Sequence, residues 1–136
     1  MAEEDRNTYL FNNLGSYYEA VRNLATLPAD SRVRLMWEPR SYHCPVTCIP
    51  DILFDRWTYP LTKGQTPNEI FEGWKREGDD YLLIFEPGFE FVLDEAKHNP
   101  RQADLLTKLG TFRETLKRWM TPVWTNNLDH TLYAWK

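Results

Sequence analysis

Long hydrophobic runs are missing from this sequence of 136 residues. The longest strongly apolar stretch, Tyr81-Leu82-Leu83-Ile84-Phe85, has the length of a strand. A membrane-spanning helix needs roughly 18 such residues. Cysteine is scarce as well: Cys44 and Cys48 are the only two, too few for a disulfide scaffold. There is no basic excess. Sixteen Lys and Arg face twenty Asp and Glu, for a formal net charge of -4, and the cations are dispersed among acids. That excludes a nucleic-acid partner of the usual kind, which needs clustered cations against phosphate. Gly-x-Gly-x-x-Gly and Gly-Lys-Ser/Thr loops are absent, and so is a Gly-x-Ser-x-Gly elbow. Dinucleotide, P-loop and α/β-hydrolase sites therefore have no signature here, and no cofactor is expected. The opening Met1-Ala2-Glu3-Glu4-Asp5-Arg6 is acidic and polar, unlike a signal peptide. The expectation is a cytosolic protein or a soluble piece of a longer chain.

Aromatic residues, in contrast, are abundant: six Trp, seven Tyr and seven Phe. Disordered chains are poor in these, so one folded domain over residues 1–136 is expected. Leu10, Leu14, Tyr17 or Tyr18, Val21 and Leu24 recur at helical spacing. Val33, Leu35 and Trp37 alternate with Arg34 and Met36, which predicts a strand. Pro39, Pro45 and Pro50 punctuate the next stretch and predict an ordered loop, with a short strand after it at Ile52-Leu53-Phe54. Thr66, Pro67 and Glu69 form a Thr-x-x-Glu capping box ahead of Ile70, Phe71 and Trp74, with Gly78 as terminator. Tyr81 to Phe85 reads as a central strand, Pro87-Gly88 as a turn, and Phe89 to Ala96 as a short helix. Asn99-Pro100 opens a long helix through Leu105, Leu109, Phe112, Leu116 and Trp119, stopped by Pro122. Val123-Trp124 and Thr131 to Trp135 flank a turn and predict a hairpin. The order α-β-(β)-α-β-α-β-β points to a small three-layer α/β sandwich. Its sheet would be mostly parallel, with 4-5 strands and a C-terminal antiparallel hairpin at one edge.

Ligands of open α/β sheets bind outside the carboxyl ends of the strands. Glu38, Arg40 and Tyr42 follow the first strand, Asp55 and Arg56 the second, and Glu86 the third. These six residues are candidate lining for one crevice. An arginine among carboxylates suits a phosphate or sugar hydroxyls. The competing reading is that the charges pair with each other at the sheet rim and only position loops. General-base chemistry at Glu38, Asp55 or Glu86 is a third option, for which no nucleophile or metal is evident. Trp57 and Tyr59, beside Pro60, are the aromatic pair expected at the surface. Core packing accounts for Trp37, Trp74, Trp119 and Trp135. Asp79-Asp80 reads as a turn at the amino end of a strand.

His43-Cys44-Pro45-Val46-Thr47-Cys48 is one metal knuckle without a second, since His98 and His130 lie far off in sequence. No metal site is therefore expected. Redox Cys-x-x-Cys spacing is missed by one residue. Two buried thiols, or a disulfide in an oxidising compartment, both stay open.

The run Leu27-Pro28-Ala29-Asp30-Ser31-Arg32-Val33-Arg34-Leu35-Met36-Trp37-Glu38-Pro39-Arg40-Ser41-Tyr42 resembles the segment after the last membrane span of bacterial polytopic glycosyltransferases of the mannosyltransferase-like type. Glu77-Gly78-Asp79-Asp80-Tyr81-Leu82-Leu83-Ile84 and the strand Thr131-Leu132-Tyr133 extend the likeness from about Tyr9 to Trp135. The resemblance implies a non-catalytic, extracytoplasmic accessory domain excised from a longer integral membrane protein. The catalytic acids of that family lie in the membrane portion, so no catalytic residue carries over to this chain. Implied partners are the membrane portion of the parent chain and a glycan or lipid-linked sugar. An oxidising compartment would favour a Cys44–Cys48 disulfide. The alternative is a stand-alone cytosolic α/β domain that binds a phosphorylated or sugar-like small molecule.

Overall fold

The computed structural model describes residues 16–36, 44–51, 55–126 and 129–136. The expected helical residues Leu10 and Leu14, the segment Trp37 to His43 and the strand proposed at Ile52 to Phe54 lie outside these. The elements in chain order are α1 (Ser16–Leu24), β1 (Arg32–Met36), β2 (Thr47–Ile49), α2 (Asp55–Thr62), α3 (Pro67–Arg76), β3 (Tyr81–Phe85), α4 (Glu86–Lys97), a 3-10 turn (Pro100–Gln102), α5 (Ala103–Trp119), β4 (Met120–Thr125) and β5 (His130–Trp135).

The protein is α/β with one five-stranded sheet in the order β2-β1-β3-β5-β4. β1 pairs in parallel with β2 and β3, while β5 pairs antiparallel with β3 and β4. The sheet is therefore mixed and not mostly parallel. The chain returns through β5, which inserts beside β3 and pushes β4 to the edge. Order along the sequence did not reveal that insertion.

Alternation along the strands assigns the two faces. Val33, Leu35, Leu83 and Leu132 pack with Ala20 and Leu24 of α1. Met36, Leu82, Ile84 and Met120 face the other helices and meet Phe71, Phe89, Leu109 and Phe112. Trp57 is at the centre of that second core. Its ring lies 5.2 Å from Phe112 and 5.7 Å from Phe71, both edge-on, and its indole N–H donates to the Lys108 carbonyl at 2.7 Å. Trp57 is therefore fully buried, not a surface residue. The reason is α2, which the proline at position 60 concealed: a helix over Asp55–Thr62 turns Trp57 inward and leaves Tyr59 out.

Local chemistry explains the remaining elements. The Thr66 hydroxyl accepts from Glu69 N–H at 3.2 Å, and the Glu69 carboxylate accepts from Thr66 N–H at 3.0 Å. This closes the capping box that starts α3. Gly78, at φ 99°, ends the α3 segment in a backbone conformation that a side chain disfavours. Pro87-Gly88 does not turn the chain. Both lie in the first turn of α4, where a missing amide hydrogen leaves no helical bond unmade. The stretch expected to be loop contains β2, which pairs through Thr47, Cys48 and Ile49 with β1. Pro122 does not stop α5, which ends at Trp119; it sits in β4, an edge strand that tolerates a residue without a donor.

Candidate functional site

β1 carries its polar residues on the helix-rich face. Arg34 is 3% exposed. Its guanidinium donates to Asp79 through Nε and to Glu77 at 2.8 Å through a terminal nitrogen. The same group lies 5.0 Å from the Trp74 ring centroid. Arg32 Nε donates to the other Asp79 oxygen at 2.8 Å. Asp79 also receives the Trp135 indole N–H on its backbone carbonyl at 2.7 Å. Asp79-Asp80 is thus more than a turn. Asp79 is the buried counter-charge of two strand arginines, and Asp80 accepts from Arg32 N–H at 2.9 Å.

Above this network lies a cleft of about 330 Å³. Arg32, Arg34 and Ile49 form its sheet side; α2 and α3 form its walls. From α2 come Asp55, Arg56 and Tyr59, and from α3 come Glu69 and Trp74; Gln65 lies on the connection between them. A second cleft adjoins it, lined by Pro50, Asp51, Asp55, Arg56 and Tyr59. Among the described residues neither lining contains Ser, Thr, Cys or His.

Asp51 follows β2 directly and is 3% exposed. One carboxyl oxygen accepts from Arg56 N–H at a long 3.4 Å. The other has no hydrogen-bond partner among the described residues. Burial pushes its pKa up to about 6, against the lowering effect of the Arg56 amide; Asp55 adds to the rise, and the Arg56 and Arg34 cations oppose it. A carboxyl that titrates there can exchange a proton near neutral pH.

The sequence-predicted residues divide as follows. Asp55 and Arg56 meet at the start of α2 and line both clefts. Glu86 opens α4 and is ion-paired with Arg113, whose guanidinium also lies over the Phe89 ring at 4.2 Å. It lines a different cleft, with Glu90, Asp129 and Thr131. Tyr133 is held to this pair, and burial first, then the Glu86 charge, raises its hydroxyl pKa. Glu38, Arg40 and Tyr42 lie outside the described residues. Cys44 and Cys48 are joined by a disulfide. Among the described residues no cluster of three or more His, Cys, Asp or Glu could hold a metal ion, and no helix is long and apolar enough to cross a membrane.

Sequence reasoning passed over Asp51, Arg32, Arg34 and Gln65. Asp51 was within reach: had the strand been placed at residues 47–49, its carboxyl end would have nominated this residue. The arginines had no such signal, because their partners lie more than 40 positions away. Comparison of the chain with models of protein families, with curated proteins and with solved structures finds no match.

Proposed function

We propose that this chain is a non-catalytic recognition domain, the extracytoplasmic accessory part of a membrane glycosyltransferase-like protein, and that it positions substrate or partner at the clefts beside α2. One observation carries the recognition half of this reading. Arg56 and Tyr59 stand exposed where two clefts join, at the carboxyl end of parallel strand β2, and Arg56 makes no ion pair among the described residues. The second cleft, with Pro50 and Asp51, lies past the carboxyl end of β2, the end that ligands of open α/β sheets favour. The Cys44–Cys48 disulfide supports the compartment, since such bonds persist on the oxidising side of a membrane. The likeness of the Leu27 to Tyr42 run supplies the parent class.

A library of sugars, sugar phosphates and glycolipid headgroups, screened by thermal shift, tests recognition. Stabilisation that grows with ligand concentration is the expected result; a flat response across the library overturns it. The compartment has its own test. Cys44 and Cys48 in intact cells should resist a membrane-impermeant thiol reagent until reduced from outside. Free thiols reached only after lysis would leave the stand-alone cytosolic binding domain as the better reading.

A further inference from the structure

The chemical class of the ligand follows from how the groups around the first cleft are already committed. Arg34 directs Nε to Asp79 and one terminal nitrogen to Glu77, and Arg32 directs Nε to Asp79. Three arginines line the cleft, namely Arg32, Arg34 and Arg56, against the three acids Asp55, Glu69 and Glu77. With the buried Asp79 carboxylate behind them and Lys63 over the Tyr59 ring, cations and acids balance. An arriving phosphate would carry about two negative charges. Of the three arginines only Arg56 is free of a carboxylate partner among the described residues, and Asp55 stands beside it. Without a net positive charge, the cleft offers a dianion little net attraction.

The uncommitted groups suit something else. Arg56 offers donors, Asp55 offers acceptors, and the Gln65 side chain offers both. Tyr59 is 63% exposed and presents a flat apolar ring at the mouth. Lys63 lies over the same ring at 5.3 Å from its centroid, which helps to hold it in place. Donors and acceptors mixed around an aromatic face match a ring with neighbouring hydroxyls and C–H patches. The adjoining cleft adds Asp51, whose second carboxyl oxygen lacks a partner among the described residues.

We propose that the cleft between α2 and α3 binds an uncharged sugar ring, with Tyr59 as its stacking platform and Arg56 and Asp55 as donor and acceptor to adjacent hydroxyls. This rests on the recognition reading above and narrows its ligand. Asp55, Arg56 and Tyr59 are all exposed, so alanine variants at these positions leave the core intact.

The test is an amide NMR titration of the whole chain with D-glucose, D-galactose, D-mannose and N-acetylglucosamine, run beside glucose 1-phosphate and inorganic phosphate. At least one neutral sugar should shift the amides of Arg56, Tyr59 and Gln65 and saturate. Tyr59→Ala and Asp55→Ala should each weaken that sugar by roughly tenfold. Tighter binding of glucose 1-phosphate or inorganic phosphate at the same amides overturns the uncharged class but leaves recognition standing. Shifts confined to the Glu86 cleft overturn the assignment of the site. No shift with any of the six compounds overturns this inference, while the recognition reading stands or falls on the wider thermal-shift library.

Discussion

Arg34 and Asp79 form an ion pair inside the helix-rich layer, with side chains only 4% and 2% exposed. One belongs to a central strand and the other to the connection between α3 and β3, so the pair ties the sheet to the end of α3. Removing one partner of a buried pair strands the other charge. Asp79→Ala should therefore lower unfolding stability by about 3–5 kcal/mol, measured by urea denaturation. The double variant Arg34→Met, Asp79→Ala should recover much of that loss, because the buried unpaired charge is gone and the partners left behind, Arg32 and Glu77, reach solvent. A double variant as unstable as the single one would show that the pair is not what holds this junction.

Asp51 sets a pH dependence whose sign is opposite to that of most carboxylates. Its folded-state pKa is raised from 3.8 to about 6, chiefly by burial. The folded protein therefore binds this proton more tightly than the unfolded chain does. The contribution to stability is fully present below about pH 4 and is lost as pH rises through 6. Two pKa units correspond to about 2–3 kcal/mol. Asp51→Asn should be more stable than the parent at pH 7, with the difference shrinking towards pH 4. Thermal melting across that range checks it, and a difference that grows on acidification would contradict the assignment.

The Cys44–Cys48 disulfide closes a short loop, with a sequence separation of 4. Short loops lose little unfolded-state entropy, so reduction should cost no more than about 2 kcal/mol. Intact mass should rise by two hydrogens on reduction. Melting with and without reductant then reports the stability difference, and complete unfolding on reduction would be too large an effect for this loop.

Trp57 touches Phe71, Trp74 and Phe112 and is fully buried. Trp57→Ala should cost about 3–5 kcal/mol, against less than about 1 kcal/mol for Tyr59→Ala at the surface. The contrast is readable in a pair of denaturation curves. Equal losses would place Trp57 outside the core.

Elements with a strong local signal were legible before any coordinates. The Thr66–Glu69 capping box marked α3, the apolar run from Tyr81 to Phe85 marked β3, and the spacing from Leu105 to Leu116 marked α5. Elements governed by distant partners were not. Proline at position 60 reads as a breaker, yet the neighbouring Trp57 gains enough from burial among aromatic rings to hold α2 helical. β2 has only three residues, and its extended form comes from pairing with β1. The site was legible in part for the same reason. Asp55 and Arg56 followed from their place after a predicted strand, whereas Arg34 looks like an ordinary polar member of an alternating strand until Asp79 is brought beneath it. Glu86, grouped with Asp55 and Arg56 on the rule of strand ends, faces Arg113 instead.

The most direct test of the account is isothermal titration of one neutral monosaccharide into the wild type and into Arg56→Ala. The account predicts saturable heat for the wild type and none for the variant, with the two proteins melting at the same temperature. Equal heats from both proteins would contradict it, because the cleft beside α2 would then not be where the ligand binds.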